Sequence, residues 1–217
     1  MEDIEIINLW KSYDKKLEEN LMFNKKNAEE ITKLKVKSFL SSMKPMKIFI
    51  VLASVIWVGF VDTLIFNLFH IASPFFLISA AIHVLVTKLA IAIYIYQLIL
   101  IHQVDINEPI LETQEKLGRL ESTTLWITRI MFLQLPVWTT FWWNEVMFQQ
   151  WNVFQWLISG GVTLAFVFVA IWLFLNIKFE NRDKKWFRLI FNGIEWTPVM
   201  KSMELLREID EYKIDPK

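Results

Sequence analysis

The sequence predicts an all-α protein: a four-helix transmembrane bundle with helical extensions on its cytoplasmic side. The first observation behind this prediction is a set of four long apolar blocks, each reaching the roughly 20 residues that a helix needs to cross a bilayer. The blocks cover about residues 46–69, 74–101, 123–146 and 153–177. A soluble bundle with unusually apolar helices is the alternative, but its apolar residues would not normally form four uninterrupted blocks.

The second observation is the distribution of the basic residues. Of 23 Lys and Arg residues, ten lie in residues 1–47, two in 102–122 and nine in 178–217, whereas the turns near residues 72 and 149 carry none. Basic residues are enriched in the cytoplasmic segments of membrane proteins. The pattern therefore predicts that both termini and the central connection lie in the cytoplasm.

The third observation is a polar seam along the second block. Small and polar residues recur there every three or four positions among apolar ones, which places them on one stripe of a helix. Such a stripe is typical of a membrane span that faces protein on one side. The seam consists of Ser79, His83, Thr87, Ala90, Tyr94 and Gln97.

Residues 1–45 are predicted to form a cytoplasmic domain that consists of one charged, amphipathic helix. Its predicted partner-binding face consists of Leu9, Trp10, Tyr13, Leu17 and Leu21. The apolar stripe is interrupted in its middle by Asn20, Asn24 and Asn27. A helix of this kind needs a surface to lie against. Three alternatives remain open, namely packing on the protein's own cytoplasmic helices, docking on another protein, and a coiled coil between protomers.

The membrane domain is predicted to cover residues 46–177 and to include a cytoplasmic helix at 109–122 that leads into the third span. Pro136 should kink this span, because proline removes a hydrogen bond from a helix interior. Lys47, at the start of the first span, is placed where its ammonium group can reach lipid phosphates.

The remaining domain, residues 178–217, is predicted to be a basic amphipathic tail that lies on the inner leaflet and ends in a helix. At the opposite side of the membrane, several indole rings are expected to form a belt at the headgroup boundary. These are Trp138, Trp142, Trp143, Trp151 and Trp156.

Three ionisable residues, Asp62, His83 and Lys88, lie inside the predicted spans. An unpaired charge there costs at least ~2.5–3.5 kcal/mol on insertion scales. Counted from the short outer turn, Asp62 and His83 lie at similar depths, so a pair between adjacent spans is feasible. Two alternatives follow: the three residues line a proton or ion path or a small-ligand pocket, or they are contacts that fix how the helices pack.

The sequence contains no recognisable catalytic motif. Cysteine is absent, which excludes disulfides, a thiol nucleophile and a cysteine-based metal site. His102 and Asp105 are two candidate metal ligands, which is fewer than a metal site needs. The formal net charge of zero gives no indication of nucleic-acid binding. We therefore expect no cofactor, no metal, no direct contact with nucleic acid and no enzymatic activity.

The segment from Asn8 to Glu18, NLWKSYDKKLE, resembles the start of a group of uncharacterised bacterial membrane proteins. In that group an Asn-Leu-Trp-x-x-Tyr-Asp-x-Lys-Leu-Glu segment precedes a charged helix and several spans. Some members look like companions of extracytoplasmic-function sigma factors. The resemblance therefore implies a membrane-held regulator in the bacterial inner membrane, although it assigns no catalytic residues, and the chain lacks the zinc-binding His/Cys pattern of many anti-sigma domains.

Most of the hydrophilic chain is thus expected to be helical and cytoplasmic. The sequence predicts a non-enzymatic regulator or scaffold, anchored in the bilayer, that binds a cytoplasmic protein through its N-terminal helix. A sigma factor is among the candidate partners, and homo-oligomerisation is left open. The alternative function is that of a small transporter or an ion- or proton-conducting protein that uses Asp62, His83 and Lys88.

Overall fold

The structure is a computed structural model that describes residues 2–105, 108–191, 193 and 196–214, and it contains no strand among these residues. The longest helix, α1, covers Glu2–Leu68 and is about 100 Å long at 1.5 Å per residue. A short 3₁₀ helix covers Phe179–Asn181. The other helices are α2 (Pro74–His102), α3 (Ile110–Leu133), α4 (Leu135–Thr140), α5 (Glu145–Gln150), α6 (Val153–Asn176), α7 (Lys185–Phe191) and α8 (Thr197–Ile214).

The predicted N-terminal helix and the predicted first span form one continuous helix, α1. Pro45 lies inside it, so the predicted domain boundary between residues 45 and 46 is not a helix boundary. A proline in a helix interior removes one backbone hydrogen bond. Met43 and Lys47 are buried on either side of Pro45, so α1 packs on the rest of the protein both before and after the proline.

Three helices, α1, α2 and α6, are long and apolar enough to cross a membrane. The predicted third span, 123–146, is not one continuous helix, because α3 ends at Leu133 and α4 covers only Leu135–Thr140. Pro136 explains the division, since it lies in the first turn of α4, where its missing N–H costs nothing. The expected kink is therefore a helix break at Gln134, and the described residues contain three candidate spans rather than four.

One end of the bundle is built around a core shared by α1, α2, α3 and α8. Its buried residues are Val36, Leu40, Met43, Ile101, Val104, Leu117, Leu120, Val199 and Leu206. The helix that begins the chain, the connection between α2 and α3, and the last helix therefore pack together. The predicted helix at 109–122 takes part as the first half of α3, which begins at Ile110.

The opposite end of the bundle is held by polar and aromatic contacts. The Ser73 hydroxyl, in the turn between α1 and α2, donates to the backbone oxygen of Trp143 at 2.8 Å. The rings of Phe75 and Phe148 stack with their centroids 5.3 Å apart. Trp143 and Trp151 both contact the ring of Trp156, at 5.8 and 5.4 Å. Helix α3 begins at the end that contains the core shared with α8, and the chain after α4 lies at the opposite end. Helices α3 and α4 together therefore run the length of the bundle.

The segment after α6 packs back onto the protein. Phe187, Phe191 and Trp196 are buried together with Leu125 of α3 and Leu173 of α6. The tail, residues 178–217, was predicted to lie on the inner leaflet as a basic amphipathic segment. The structure buries these three rings in the protein, and the contact of the tail with the inner leaflet stays a prediction.

Candidate interaction surface and interhelical polar contacts

The predicted partner-binding face lies on the N-terminal part of α1, before the helix packs on the rest of the protein. We call it the arm face, and it consists of Leu9, Trp10, Tyr13, Leu17 and Leu21. Trp10 is 69% exposed and Tyr13 is 63% exposed, and the three leucines are exposed as well. Every described side chain from Glu5 to Lys26 is exposed. Large apolar side chains that cluster on an exposed helix are typical of an interaction site.

The same helix contacts the rest of the protein farther along. The Lys33 ammonium donates to the backbone oxygen of Glu108 at 2.9 Å. Val36, Leu40 and Met43 are buried, and their spacing of three and four residues forms one stripe along α1. The helix therefore packs on its own protein from about Lys33 onward, and the arm face is not covered by that packing.

Asp62 and Lys88 form an ion pair across the contact between α1 and α2. The Lys88 ammonium lies 2.9 Å from the Asp62 carboxylate, and the two side chains are 51% and 46% exposed. The pairing that the sequence analysis considered, between Asp62 and His83, is not the one that forms. Lys88 reaches Asp62 because the long lysine side chain on α2 points back towards the N-terminus of its helix, where Asp62 lies on the antiparallel neighbour.

His83 is held by two other residues. The indole N–H of Trp57 donates to His83 Nε2 at 3.1 Å, and His83 Nδ1 lies 3.0 Å from Oε1 of Gln134. Nε2 must accept from the indole, so Nδ1 carries the proton and donates to the amide oxygen. Gln134 is the residue at the break between α3 and α4, and this hydrogen bond ties the break to α2.

The three ionisable residues therefore do not form one site. Asp62 and Lys88 make one contact, and His83 makes another with Trp57 and Gln134. A cavity of about 290 Å³ lies between α1, α2 and α3, but none of these three residues lines it. Its walls are mostly apolar, with Thr87 and Tyr94 among the polar residues.

A second polar contact lies nearer the other end of the bundle. The Lys47 ammonium donates to Oε1 of Gln97 at 2.6 Å and lies 4.5 Å from the ring centre of Tyr94. The Gln97 amide donates in turn to the hydroxyls of Thr123 and Thr124, at 3.0 and 3.2 Å. Lys47 is fully buried, so the expectation that it reaches lipid phosphates is wrong. The Gln97 oxygen and the ring of Tyr94, both on α2, hold the ammonium inside the protein.

One acidic residue in the first, hydrophilic half of α3 has an altered proton affinity. Burial raises the pKa of the Glu121 carboxyl, and the positive charge of Arg182 opposes this shift in part. Glu121 is therefore a side chain whose ionised form is disfavoured by folding.

Within the part of the chain that the structure describes, no three His, Asp or Glu side chains lie close enough together to hold a metal ion. No protein-family model, no curated protein and no solved structure matches the chain.

The contacts of three of these residues were not predicted from the sequence. Trp57 and Gln134 were read as ordinary parts of apolar blocks, and Lys47 was assigned to the lipid surface. Gln134 carried a detectable signal, because it is a polar residue in an apolar block two positions before Pro136. Gln97 was placed correctly on the polar seam, but its partner on α1 was not identifiable from spacing.

Proposed function

We propose that this protein is a membrane-anchored scaffold or regulator that presents its N-terminal helix to a protein partner in the cytoplasm. The observation that carries the proposal is the exposure of the arm face on a helix that continues without a break into a candidate span. A continuous helix holds the arm face at a defined distance from the membrane. That arrangement suits a protein whose task is to bring a partner to the bilayer.

The proposed topology has four crossings and places both termini in the cytoplasm. The core that joins α1, α3 and α8 supports it, because residues near both ends of the chain share one end of the bundle. If α1, α2 and α6 cross the membrane, the chain between α2 and α6 must cross once more. Residues 123–140, at the end of α3 and in α4, extend about 27 Å at 1.5 Å per residue, close to the ~30 Å of bilayer hydrocarbon.

The partner is expected to supply an apolar groove or helix, because the arm face is a stripe of large apolar side chains on a helix. Residues 8–18 resemble a group of uncharacterised bacterial membrane proteins, some of which look like companions of extracytoplasmic-function sigma factors. Such a factor is therefore the first protein to test. In that case the protein would hold the factor at the membrane.

Transport is the second function that the sequence raised, and the half-exposed ion pair between Asp62 and Lys88 is the observation that favours it. A conducting path requires ionisable residues to face one connected, wet space. Asp62 and His83 make separate contacts, and the cavity of about 290 Å³ includes neither of them. Transport therefore has less support than the scaffold.

The scaffold proposal is tested with the full-length protein in its native membrane. The variant Trp10→Ala with Tyr13→Ala should lose the partners that co-purify with the parent protein, because it removes the two largest side chains of the arm face. The matched control is Ser12→Ala with Lys15→Ala, which alters the same helix outside that face. The proposal is wrong if both variants retain the same partners.

The topology is tested by single cysteines, which report without background because the natural chain has none. Ala72→Cys and Gln149→Cys should react with a membrane-impermeant thiol reagent in intact cells. Ser12→Cys and Glu204→Cys should react only after the membrane is permeabilised. Reaction of the Glu204→Cys variant in intact cells would contradict four crossings and indicate three.

A further inference from the structure

A heptad seam that is longer than the arm face runs along α1 from Trp10 to Leu34. Its positions alternate in steps of three and four residues, as the a and d positions of a coiled coil do. The seam consists of Trp10, Tyr13, Leu17, Asn20, Asn24, Asn27, Ile31 and Leu34. We call this set the arm seam. All of its members except the half-buried Asn27 are exposed, and it extends over more than three heptads, the length at which the pattern becomes informative.

The arm seam lies on the opposite side of α1 from the residues that pack on the protein. Ile31 and Leu40 are nine residues apart, which is two and a half turns at 3.6 residues per turn. The same separation relates Leu34 to Met43. Leu40 and Met43 are buried in the core shared with α3 and α8, whereas Ile31 and Leu34 are exposed. A second helix can therefore lie along Ile31 and Leu34 without displacing α3 or α8, and Asn27 is the one member of the arm seam that is already half covered.

We infer that the occupant of the arm seam is the arm seam of a second copy of this chain, in a parallel, two-stranded coiled coil. The inference rests on the proposed function, in which α1 is anchored in the membrane. The coiled coil would bury three residues of the arm face, so the cytoplasmic partner would bind the pair of helices, where Leu9 and Leu21 lie at the flanking g and e positions. Because α1 is one helix from Glu2 to Leu68, a given residue lies at the same height above the membrane in both copies. Two such arms are parallel and in register without any further adjustment.

The three asparagines favour a second copy over an unrelated helix. In register, Asn20, Asn24 and Asn27 each face the same residue of the other copy. A carboxamide has both a donor and an acceptor, so it is complementary to another carboxamide. An apolar helix laid on the seam would leave these amides without partners, which is costly once they are buried. A polar residue in such a seam also selects register and the number of strands.

Other positions support two strands in a parallel arrangement. Ile31 at an a position followed by Leu34 at a d position is the combination that favours dimers. Glu30 and Lys35 occupy flanking g and e positions, where Glu30 of one copy meets Lys35 of the other with opposite charge. On the membrane side, Ile48, Leu52 and Val55 continue the same spacing and are exposed, so the contact between two copies has room to extend into the bilayer.

The test is disulfide formation in the purified, full-length protein reconstituted in lipid, with no other protein present. Leu17→Cys places a thiol at an a position, and Glu18→Cys places one on the neighbouring residue, outside the seam. A disulfide requires Cα atoms within ~7 Å, so we expect a linked dimer to form at least about tenfold faster with Leu17→Cys. Equal rates for the two variants would overturn the inference.

A second measurement does not depend on a cysteine in the seam. Asn24→Leu removes the central amide, and this change should convert a uniform dimer into a mixture that includes higher oligomers, measured as molar mass by light scattering. Asn24→Lys brings two ammonium groups together and should shift the protein towards the monomer. The control, Lys25→Leu, lies outside the seam and should leave the dimer unchanged. A parent protein that is monomeric in this measurement would contradict the inference.

The two proposals fail in different ways. If the Leu17→Cys variant does not cross-link but Trp10→Ala with Tyr13→Ala loses a co-purifying protein, the occupant is a different protein, and only the coiled-coil inference is wrong. If the Leu17→Cys variant cross-links rapidly, the inference is supported whether or not another protein co-purifies. If the Leu17→Cys variant does not cross-link and Trp10→Ala with Tyr13→Ala retains every native partner, both proposals are wrong.

Discussion

The Lys47 ammonium lies 2.6 Å from the side-chain oxygen of Gln97, and both side chains are fully buried. The contact joins α1 to α2, and the amide nitrogen of Gln97 extends it to the hydroxyls of Thr123 and Thr124 on α3. A single buried amide therefore connects three helices. Its energetic role can be measured directly.

Gln97→Leu should lower the free energy of unfolding by about 1.5–3 kcal/mol, because the Lys47 ammonium loses an acceptor of its charge-assisted hydrogen bond. Denaturant unfolding in detergent micelles would measure the loss. The control Gln149→Leu changes an exposed glutamine and should cost much less. The double variant Lys47→Met with Gln97→Leu should recover part of the loss. Equal losses for Gln97→Leu and Gln149→Leu would show that the contact contributes nothing.

The hydrogen bond between His83 and Gln134 should appear as a coupling energy. In a double-mutant cycle with His83→Ala and Gln134→Ala, we expect the two losses of stability to be non-additive by about 0.6 kcal/mol and by no more than about 1.7 kcal/mol, the mean and the maximum found for interhelical hydrogen bonds in membranes. A cycle that pairs His83→Ala with Gln150→Ala, an exposed residue, should be additive. Additivity in the first cycle would mean that the helix break is not held by His83.

The ion pair between Asp62 and Lys88 should behave as a unit. Lys88→Leu leaves the Asp62 carboxylate without its partner in the proposed span, which is expected to disfavour insertion by about 2.5–3.5 kcal/mol and to lower the membrane-integrated fraction. Removing both charges, with Asp62→Leu and Lys88→Leu together, should restore integration, because no uncompensated charge remains. The expectation fails if the double variant integrates as poorly as the single one.

Glu121 should make stability depend on pH. Burial raises the pKa of its carboxyl in the folded protein above the ordinary value of 4.5. The folded state then binds this proton more tightly than the unfolded state does. The stabilisation that comes from the bound proton is fully present below pH 4.5 and is lost as the pH rises through the pKa of the folded state. Glu121→Gln should therefore raise the unfolding midpoint at pH 8 relative to the parent protein.

At pH 4, where the parent carboxyl is protonated, the same substitution should have little effect. Glu112→Gln, which removes an exposed carboxylate from the same helix, is the matched control. An effect of Glu121→Gln that is identical at both pH values would argue against the role of burial.

Several features of the fold followed from local patterns. The apolar blocks 74–101 and 153–177 correspond closely to α2 and α6, because an uninterrupted apolar block of that length is typical of a membrane-spanning helix. The arm face and the polar seam of α2 followed from helical periodicity, which relates residues only three or four positions apart. Pro136 marked the place where the third block is divided, although the outcome is a break rather than a kink.

Other features had no local signal. A domain boundary was predicted after residue 45, yet α1 continues through Pro45, and Met43 and Lys47 are buried on either side of it. Asp62 and His83 lie at similar depths along their helices, yet depth says nothing about how each helix is rotated about its axis. Lys88 reaches Asp62, and Gln134 reaches His83, only once those rotations are given.

The order of residues was thus sufficient to predict the bounds of α2 and α6 and the exposed stripe of the arm, since each of these depends on residues close together in the chain. The tertiary structure alone shows that Lys47 is buried against Gln97 and that Asp62 pairs with Lys88. It also shows that the third block is divided between α3 and α4. The physical reason is that a helix can rotate and slide against its neighbours at little local cost, and only the combined packing of all the helices selects one arrangement.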